Sequence, residues 1–163
     1  MNKERIAIVP GSFDPITNGH ISIIKKATES YDKVYVAVMI NDQKEYMFSL
    51  EERKEIAIAA LRDFDKVCVI SSRDWLWHLC MEIGACAIVK GYRNETDLEY
   101  EQKMASFNKE HYPLAQTVLI KADDSMTDLS STLIRERIRK HQSLEEFLPN
   151  GAIEEIKKIR SKV

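Results

Sequence analysis

An α/β fold built on a doubly wound, five-stranded parallel sheet is predicted by three observations. Short apolar runs alternate with longer stretches whose apolar residues recur at helical spacing. Some runs, such as Val34–Ile40, are apolar nearly throughout, as suits strands covered on both faces. Helix-length stretches separate successive runs, which implies parallel pairing through right-handed crossovers. The resulting order, βαβαβαβαβα with helical extensions at the C-terminal end, is Rossmann-like.

The first strand is expected at about Arg5–Val9. It leads into Pro10–His20, a loop stiffened by two prolines, two glycines and an asparagine. Thr17 or Asn18 can cap the helix that follows, about Gly19–Ser30, whose inner face is Ile21, Ile23, Ile24 and Ala27. His20 then falls in the first turn, beside free backbone N–H groups and the positive end of the helix dipole, a natural anion site. The second strand, Val34–Ile40, precedes the loop Asn41–Phe48, which holds Lys44. Ser49 and Glu52 form a capping box that opens a helix to about Arg62, with Leu50, Ile56, Ala57, Ala60 and Leu61 inward.

The third strand is expected at Lys66–Ile70. Asp74 is assigned as the cap of a helix through about Ile83, stopped by Gly84. The fourth strand, Ala85–Val89, leads into a loop Lys90-Gly91-Tyr92-Arg93. Thr96 or Asp97 starts a helix to about Asn108, Pro113 interrupts, and Gln116–Lys121 is the fifth strand. Ser130 caps Ser131–Lys140. Ser143 and Glu146 form a second capping box before Pro149. The last helix, Gly151–Arg160, has Glu154 and Glu155 early and Lys157, Lys158 and Arg160 late, matching its dipole.

At 163 residues, 44% of them hydrophobic, the chain can bury a full core, and one domain over 1–163 is the economical reading. A net charge of −2 and a pI near 6.1 argue against a long polyanion such as nucleic acid as the main partner. No apolar run approaches membrane-spanning length and the N-terminus lacks a signal-peptide core, so no membrane partner and a cytoplasmic location are expected. Cys68, Cys80 and Cys86 are odd in number and lack paired spacing, so they are expected as buried free thiols. His78 near Cys80 does not make a metal site, and no side chain is assigned as a metal ligand.

Ligands of such sheets bind beyond the carboxyl ends of the strands. That edge gathers Ser12 and His20 after the first strand, Lys44 after the second, Lys90 and Arg93 after the fourth, and Ser130, Ser131, Thr132 and Arg135 after the fifth. Nearly all donate hydrogen bonds, and polyphosphate is their complement. There is no G-x-x-x-x-G-K-[ST], no G-x-G-x-x-G and no G-x-S-x-G in the chain. No nucleophile stands out with a base beside it. A site rich in donors and poor in nucleophiles suits direct phosphoryl or nucleotidyl transfer, where the protein positions substrates and stabilises charge.

Thr17-Asn18-Gly19-His20 resembles the T-x-G-H signature of the nucleotidylyltransferase superfamily, and Leu129–Arg135 is similar to its I-S-S-T-x-x-R element. Pro10–His20, Met47–Arg53 and Asp97–Glu101 closely resemble stretches of the bacterial phosphopantetheine adenylyltransferases, a likeness that runs from about Arg5 to Pro149. The resemblance implies transfer of the adenylyl group of ATP, with Mg²⁺, to 4′-phosphopantetheine, giving dephospho-coenzyme A and pyrophosphate. It implies in-line attack with no covalent intermediate, dephospho-coenzyme A and coenzyme A as product-side ligands, and a homohexamer. It implies catalytic roles for His20 at the α-phosphate, Lys44 and Arg93. Ser12 would lie between the reacting phosphates, Lys44 and Lys90 on the attacking phosphate, and Asp74 and Leu76 on the pantetheine arm. Phe13, Gly91, Tyr92, Arg93, Glu101, Met126, Thr127, Asp128, Leu129, Ser130, Ser131 and Thr132 would join Ser12 and His20 around ATP. The family usually has Thr at Ser12, Arg at Lys90 and an aromatic in the run Asp123–Asp128. The same signatures also fit a related nucleotidyltransferase with another acceptor, or a nucleotide- or coenzyme-A-binding protein with little catalysis.

Overall fold

The computed structural model describes residues 3–161. Five strands form one parallel sheet: β1 (Ile6–Gly11), β2 (Lys33–Met39), β3 (Val67–Ser72), β4 (Ala87–Tyr92) and β5 (Gln116–Lys121). Among the described residues six α-helices accompany them: α1 (Asn18–Ser30), α2 (Leu50–Ala60), α3 (Leu76–Ile83), α4 (Glu95–His111), α5 (Ser131–Arg139) and α6 (Asn150–Arg160). The spatial order is β3-β2-β1-β4-β5. The chain winds outward from β1 in one direction to β3, then crosses to β4 and winds outward the other way. The reversal lies between β1 and β4, and a crevice opens there beyond the strand ends.

Strand alternation divides the core into two layers. Ala7, Val9, Val34, Val36, Val38, Ala87 and Val89 face one way and meet Ile24 of α1, Ile56 of α2, Ile134 of α5 and Ile156 of α6. Ile8, Ala37 and Ile88 face the other way and meet Leu79 and Cys80 of α3 and Ala115 beyond α4. Each fully buried Ile of the first layer contributes about 1.5–3 kcal/mol through apolar area removed from water. The doubly wound α/β class expected from the sequence is therefore the class observed.

Several boundaries differ from the sequence expectation, each for a local reason. Lys90, Gly91 and Tyr92 are not a loop: they end β4, in register with Leu119, Ile120 and Lys121 of β5. A neighbouring strand's backbone carries the ladder past the apolar run. Likewise β1 reaches Gly11 opposite Val38, and β3 reaches Ser72 opposite Met39. Asp74 is not the cap of α3. That position is Trp75, and the Asp74 carboxylate accepts from the Trp75 amide and meets His78 Nδ1. The cap of α4 is Asn94, which accepts from the Asp97 amide at 2.9 Å, ahead of Thr96 and Asp97. Ser143–Glu146 opens no helix. The segment makes a single turn closed on the Leu144 carbonyl, with Pro149 too near for a helix to extend. Glu154 and Glu155 follow the first turn of α6. The Ser49–Glu52 capping box, the Ser130 cap and the left-handed Gly84 after α3 are as expected.

Candidate active site

A cavity of about 660 Å³ lies at the β1/β4 reversal. Its walls hold most of the residues selected from sequence: Ser12, Phe13, His20, Lys44, Lys90, Gly91, Tyr92, Arg93, Glu101, Met126, Leu129, Ser130, Ser131 and Thr132. Asp74, Leu76, Thr127 and Asp128 are not among its lining residues. Asp14, Thr17, Tyr46, Asp97 and Arg135 are. Of these five, Arg135 was legible from its place one turn into α5; Asp14, Thr17 and Asp97 lie inside the quoted stretches but were given no site role, and Tyr46 lies outside them.

His20 is held by its own helix start. Thr17 is the cap of α1, and His20 sits three residues on, where a capping box usually has Glu or Gln. The Thr17 amide donates to His20 Nδ1 at 2.9 Å. A backbone amide can only donate, so Nδ1 is unprotonated and the neutral ring carries its proton on Nε2. Burial, and then the nearby Arg93 charge, push the imidazole pKa from 6.5 down to about 4. Near neutral pH His20 is thus an uncharged donor with its orientation set by the backbone. Phe13 packs its ring edge against this imidazole, centroids 5.0 Å apart. The Phe13 backbone is left-handed (φ 47°), a conformation that costs a non-glycine residue about 1–3 kcal/mol.

The cations across the crevice are tethered. Lys90 Nζ lies 2.6 Å from Glu101 Oε2, an ion pair whose angle departs from hydrogen-bond geometry. Arg93 Nε lies 3.2 Å from Asp97 Oδ2, which also accepts the Arg93 amide at 3.1 Å. Asp97 and Glu101 are one turn apart on α4, so this helix lines the crevice with two carboxylates that hold the two cations of the β4 end.

The distant C-terminal segments complete the wall. Ser131 Oγ donates to the Pro15 carbonyl at 2.9 Å, and Arg135 Nη1 donates to the Asp14 carbonyl at 2.9 Å. The Asn18 amide donates to the Phe147 carbonyl at 2.8 Å. These bonds fix the first loop against α5 and the turn before α6, and bring the α5 start to the same cavity as His20. The arrangement can bind several phosphate oxygens and stabilise negative charge developing beside His20.

Outside the cavity, Asp74, just ahead of α3, clusters with His78 and Glu82 of that helix, their ligand-type atoms within 4.8 Å of one another. Asp74 holds the His78 pKa above its usual range, and His78 holds Asp74 below its own. Cys68, Cys80 and Cys86 are free, but only Cys80 is buried: Cys68 lies on the edge strand β3 and Cys86 just ahead of β4, and both are half-buried, whereas burial raises the Cys80 thiol to about 12.

A family model described as cytidylyltransferase-like matches residues 8–137, nearly the whole sheet and the cavity lining. Fold, site and match together define an enzyme of the nucleotidyltransferase class. The phosphopantetheine adenylyltransferase of Lactobacillus helveticus is 40% identical over 154 residues, 94% of this chain and 94% of the relative. That of Lactobacillus acidophilus is 40% identical over 154 residues, 94% and 96% of the two chains. That of Streptococcus pyogenes is 36% identical over 159 residues, 97% and 98% of the two chains. The chain belongs to the phosphopantetheine adenylyltransferase family.

Proposed function

We propose that the chain transfers the adenylyl group of ATP to 4′-phosphopantetheine, releasing pyrophosphate and forming dephospho-coenzyme A. The observation that carries the chemistry is the orientation of His20: Nδ1 is engaged by the Thr17 amide, so the remaining Nε2–H is the donor available to an α-phosphate. An oxygen of the acceptor phosphate attacks the α-phosphorus in line, that bond forms, and the bond to the β-phosphate oxygen breaks. Ser12 donates between the two phosphates. Lys44 and Lys90 neutralise the attacking phosphate. Arg93 and the amides at the α5 start hold the β- and γ-phosphates, and Glu101, Tyr92, Gly91, Met126 and Leu129 form the nucleotide side. Asp74, Leu76, Thr127 and Asp128 would join only through substrate reaching beyond the described cavity.

Magnesium fits as an ion carried on the triphosphate. Among the described cavity residues, Asp14 is committed to two backbone amides and Asp97 to Arg93. Glu101 is likewise paired with Lys90, 2.6 Å away, so these carboxylates would offer such an ion no more than outer, water-mediated contacts. A hard cation of this kind keeps several waters and binds chiefly through substrate phosphates; when bound it neutralises triphosphate charge.

The purified chain, given ATP, Mg²⁺ and 4′-phosphopantetheine, is expected to release one pyrophosphate per dephospho-coenzyme A formed. Turnover only with a different acceptor, or tight binding with no pyrophosphate, would sink this reading in favour of a related transferase or a binding protein.

A homohexamer in the cytoplasm, with dephospho-coenzyme A and coenzyme A as further ligands, belongs to the same proposal. No helix among the described residues is long and apolar enough to cross a membrane. Trp75 (64% exposed) and Met81 (48%) on the α3 side and Leu114 (73%) after α4 leave apolar surface open, which supports self-association. Light scattering is expected to give about six times the 18.8 kDa chain mass; a monomer at micromolar concentration would reject it.

A further inference from the structure

Arg53 is the largest fully buried side chain of the described residues, 1% exposed, although it is a cation on a helix. Among those residues no carboxylate lies within ion-pair distance of it. Backbone carbonyls and one ring take that place: Arg53 Nε donates to Phe48 O at 3.2 Å, and Nη1 donates to Ser12 O at 2.8 Å and to Met39 O at 2.9 Å. The guanidinium carbon lies 3.9 Å from the centroid of the Tyr46 ring. These partners belong to three separate segments: the loop after β1, the end of β2, and the loop of residues 41–48. Asp14 makes the reciprocal connection. It is 3% exposed, and its two carboxylate oxygens accept the Met47 amide at 2.9 Å and the Phe48 amide at 3.0 Å.

The loop so held is closed on itself around Lys44. The Asn41 amide donates to the Tyr46 hydroxyl at 2.7 Å, and the Lys44 amide donates to the Asn41 carbonyl at 2.9 Å. A continuous path therefore runs from Arg53 through Tyr46 and Asn41 to the backbone of Lys44. A cation buried without a carboxylate is costly to keep unless its donors are satisfied. Here the donors serve to join the lysine loop to the Ser12 loop at fixed spacing.

We propose that Arg53 and Asp14 are positioning residues for Lys44, setting the lysine at the acceptor-phosphate side of the cavity relative to Ser12. This rests on the assignment of Lys44 to the acceptor phosphate made above. Arg53 does not line the cavity; Asp14 does, but both its carboxylate oxygens are taken by the Met47 and Phe48 amides, so each residue acts through the loop it holds. Lysine cannot replace Arg53, because its single ammonium on a flexible stem does not span three carbonyls and stack on a ring.

The test is a double-mutant cycle of Arg53→Lys with Lys44→Ala, read by steady-state kinetics for both substrates. Because small misplacements of a binding group cost up to about a hundredfold, Arg53→Lys is expected to raise KM for 4′-phosphopantetheine about tenfold while KM for ATP moves less than about twofold. In the Lys44→Ala background the same substitution should add almost nothing, since contacting residues on one path are non-additive. Equal shifts in both KM values, or full additivity, would overturn the proposal and leave Arg53 as support for the fold alone. If Arg53→Lys does not fold, Asp14→Asn enters the cycle in its place with the same two outcomes. Amide hydrogen exchange of residues 41–46 needs no substrate: it should accelerate in either variant while β4 stays protected, and unchanged exchange would overturn the proposal. If the unaltered chain shows no adenylyl transfer, the functional reading falls, and exchange alone then decides whether Arg53 and Asp14 hold the loop.

Discussion

Replacing His20 by alanine is expected to lower kcat by about 10²–10³-fold, the size of a lost preorganised donor at a transition state. The measurement is pyrophosphate release at saturating ATP and 4′-phosphopantetheine. A variant with unchanged kcat would remove His20 from the chemistry. Stability should fall little, by about 1 kcal/mol, because the substitution frees only the Thr17 amide of the capping box. Acidification adds a second reading of the same residue. The folded imidazole titrates at about 4 and the unfolded one at 6.5, so between those values the unfolded chain binds the extra proton. The stability that His20 contributes is present above pH 6.5 and is lost as pH falls toward 4. Catalysis should show no His20 inflection between pH 5 and 8, and should fail near 4, where a proton on Nδ1 opposes the Thr17 amide.

Gly151→Ala should do the opposite, lowering stability with little change in kcat for the folded fraction. A methyl built on Gly151 would lie 2.7 Å from the Ala59 carbonyl oxygen and 2.9 Å from Arg62 Nη2. The arginine can swing away, but the carbonyl belongs to the backbone of α2. Helix α6 would have to lift from α2, opening the layer that holds Ile56, Ile153 and Ile156. Overpacking of this kind costs about 1–3 kcal/mol, more than alanine returns through its better helix propensity. Urea unfolding followed by circular dichroism measures the loss; an unshifted midpoint would show that α6 moves freely against α2.

Much of the site was legible because its parts are local. A strand, a turn and a helix start specify where His20 stands, and the serine run at the start of α5 specifies its own cap. The rule that ligands sit beyond the strand ends then collected Lys44, Lys90 and Arg93 without any contact being known. The spatial order of the strands was beyond such reading, since it depends on which edges pair. Lys90-Gly91-Tyr92 looked like a loop because a charge and a glycine end the apolar run, yet the β5 backbone carries the ladder through them. Ser143–Glu146 shows the opposite error: the capping signature is present, but Pro149 leaves no room for a helix. Arg53 was invisible as a buried group. A charged residue on an amphipathic helix is expected in water, and nothing local announces that three carbonyls from elsewhere will surround it.

The bonds from Ser131 and Arg135 to the first loop, and from Asn18 to Phe147, span more than a hundred residues each. During synthesis, the strand and helix bearing His20 leave the ribosome early, together with Lys44. The loop between them stays without its C-terminal braces until residue 147 has emerged. A nascent chain of this protein is therefore expected to hold its phosphate-binding loops apart and inactive for most of its translation, and to assemble them in a late step. Because the closing contacts are so far apart in sequence, that step should be slow relative to formation of the early βαβ units.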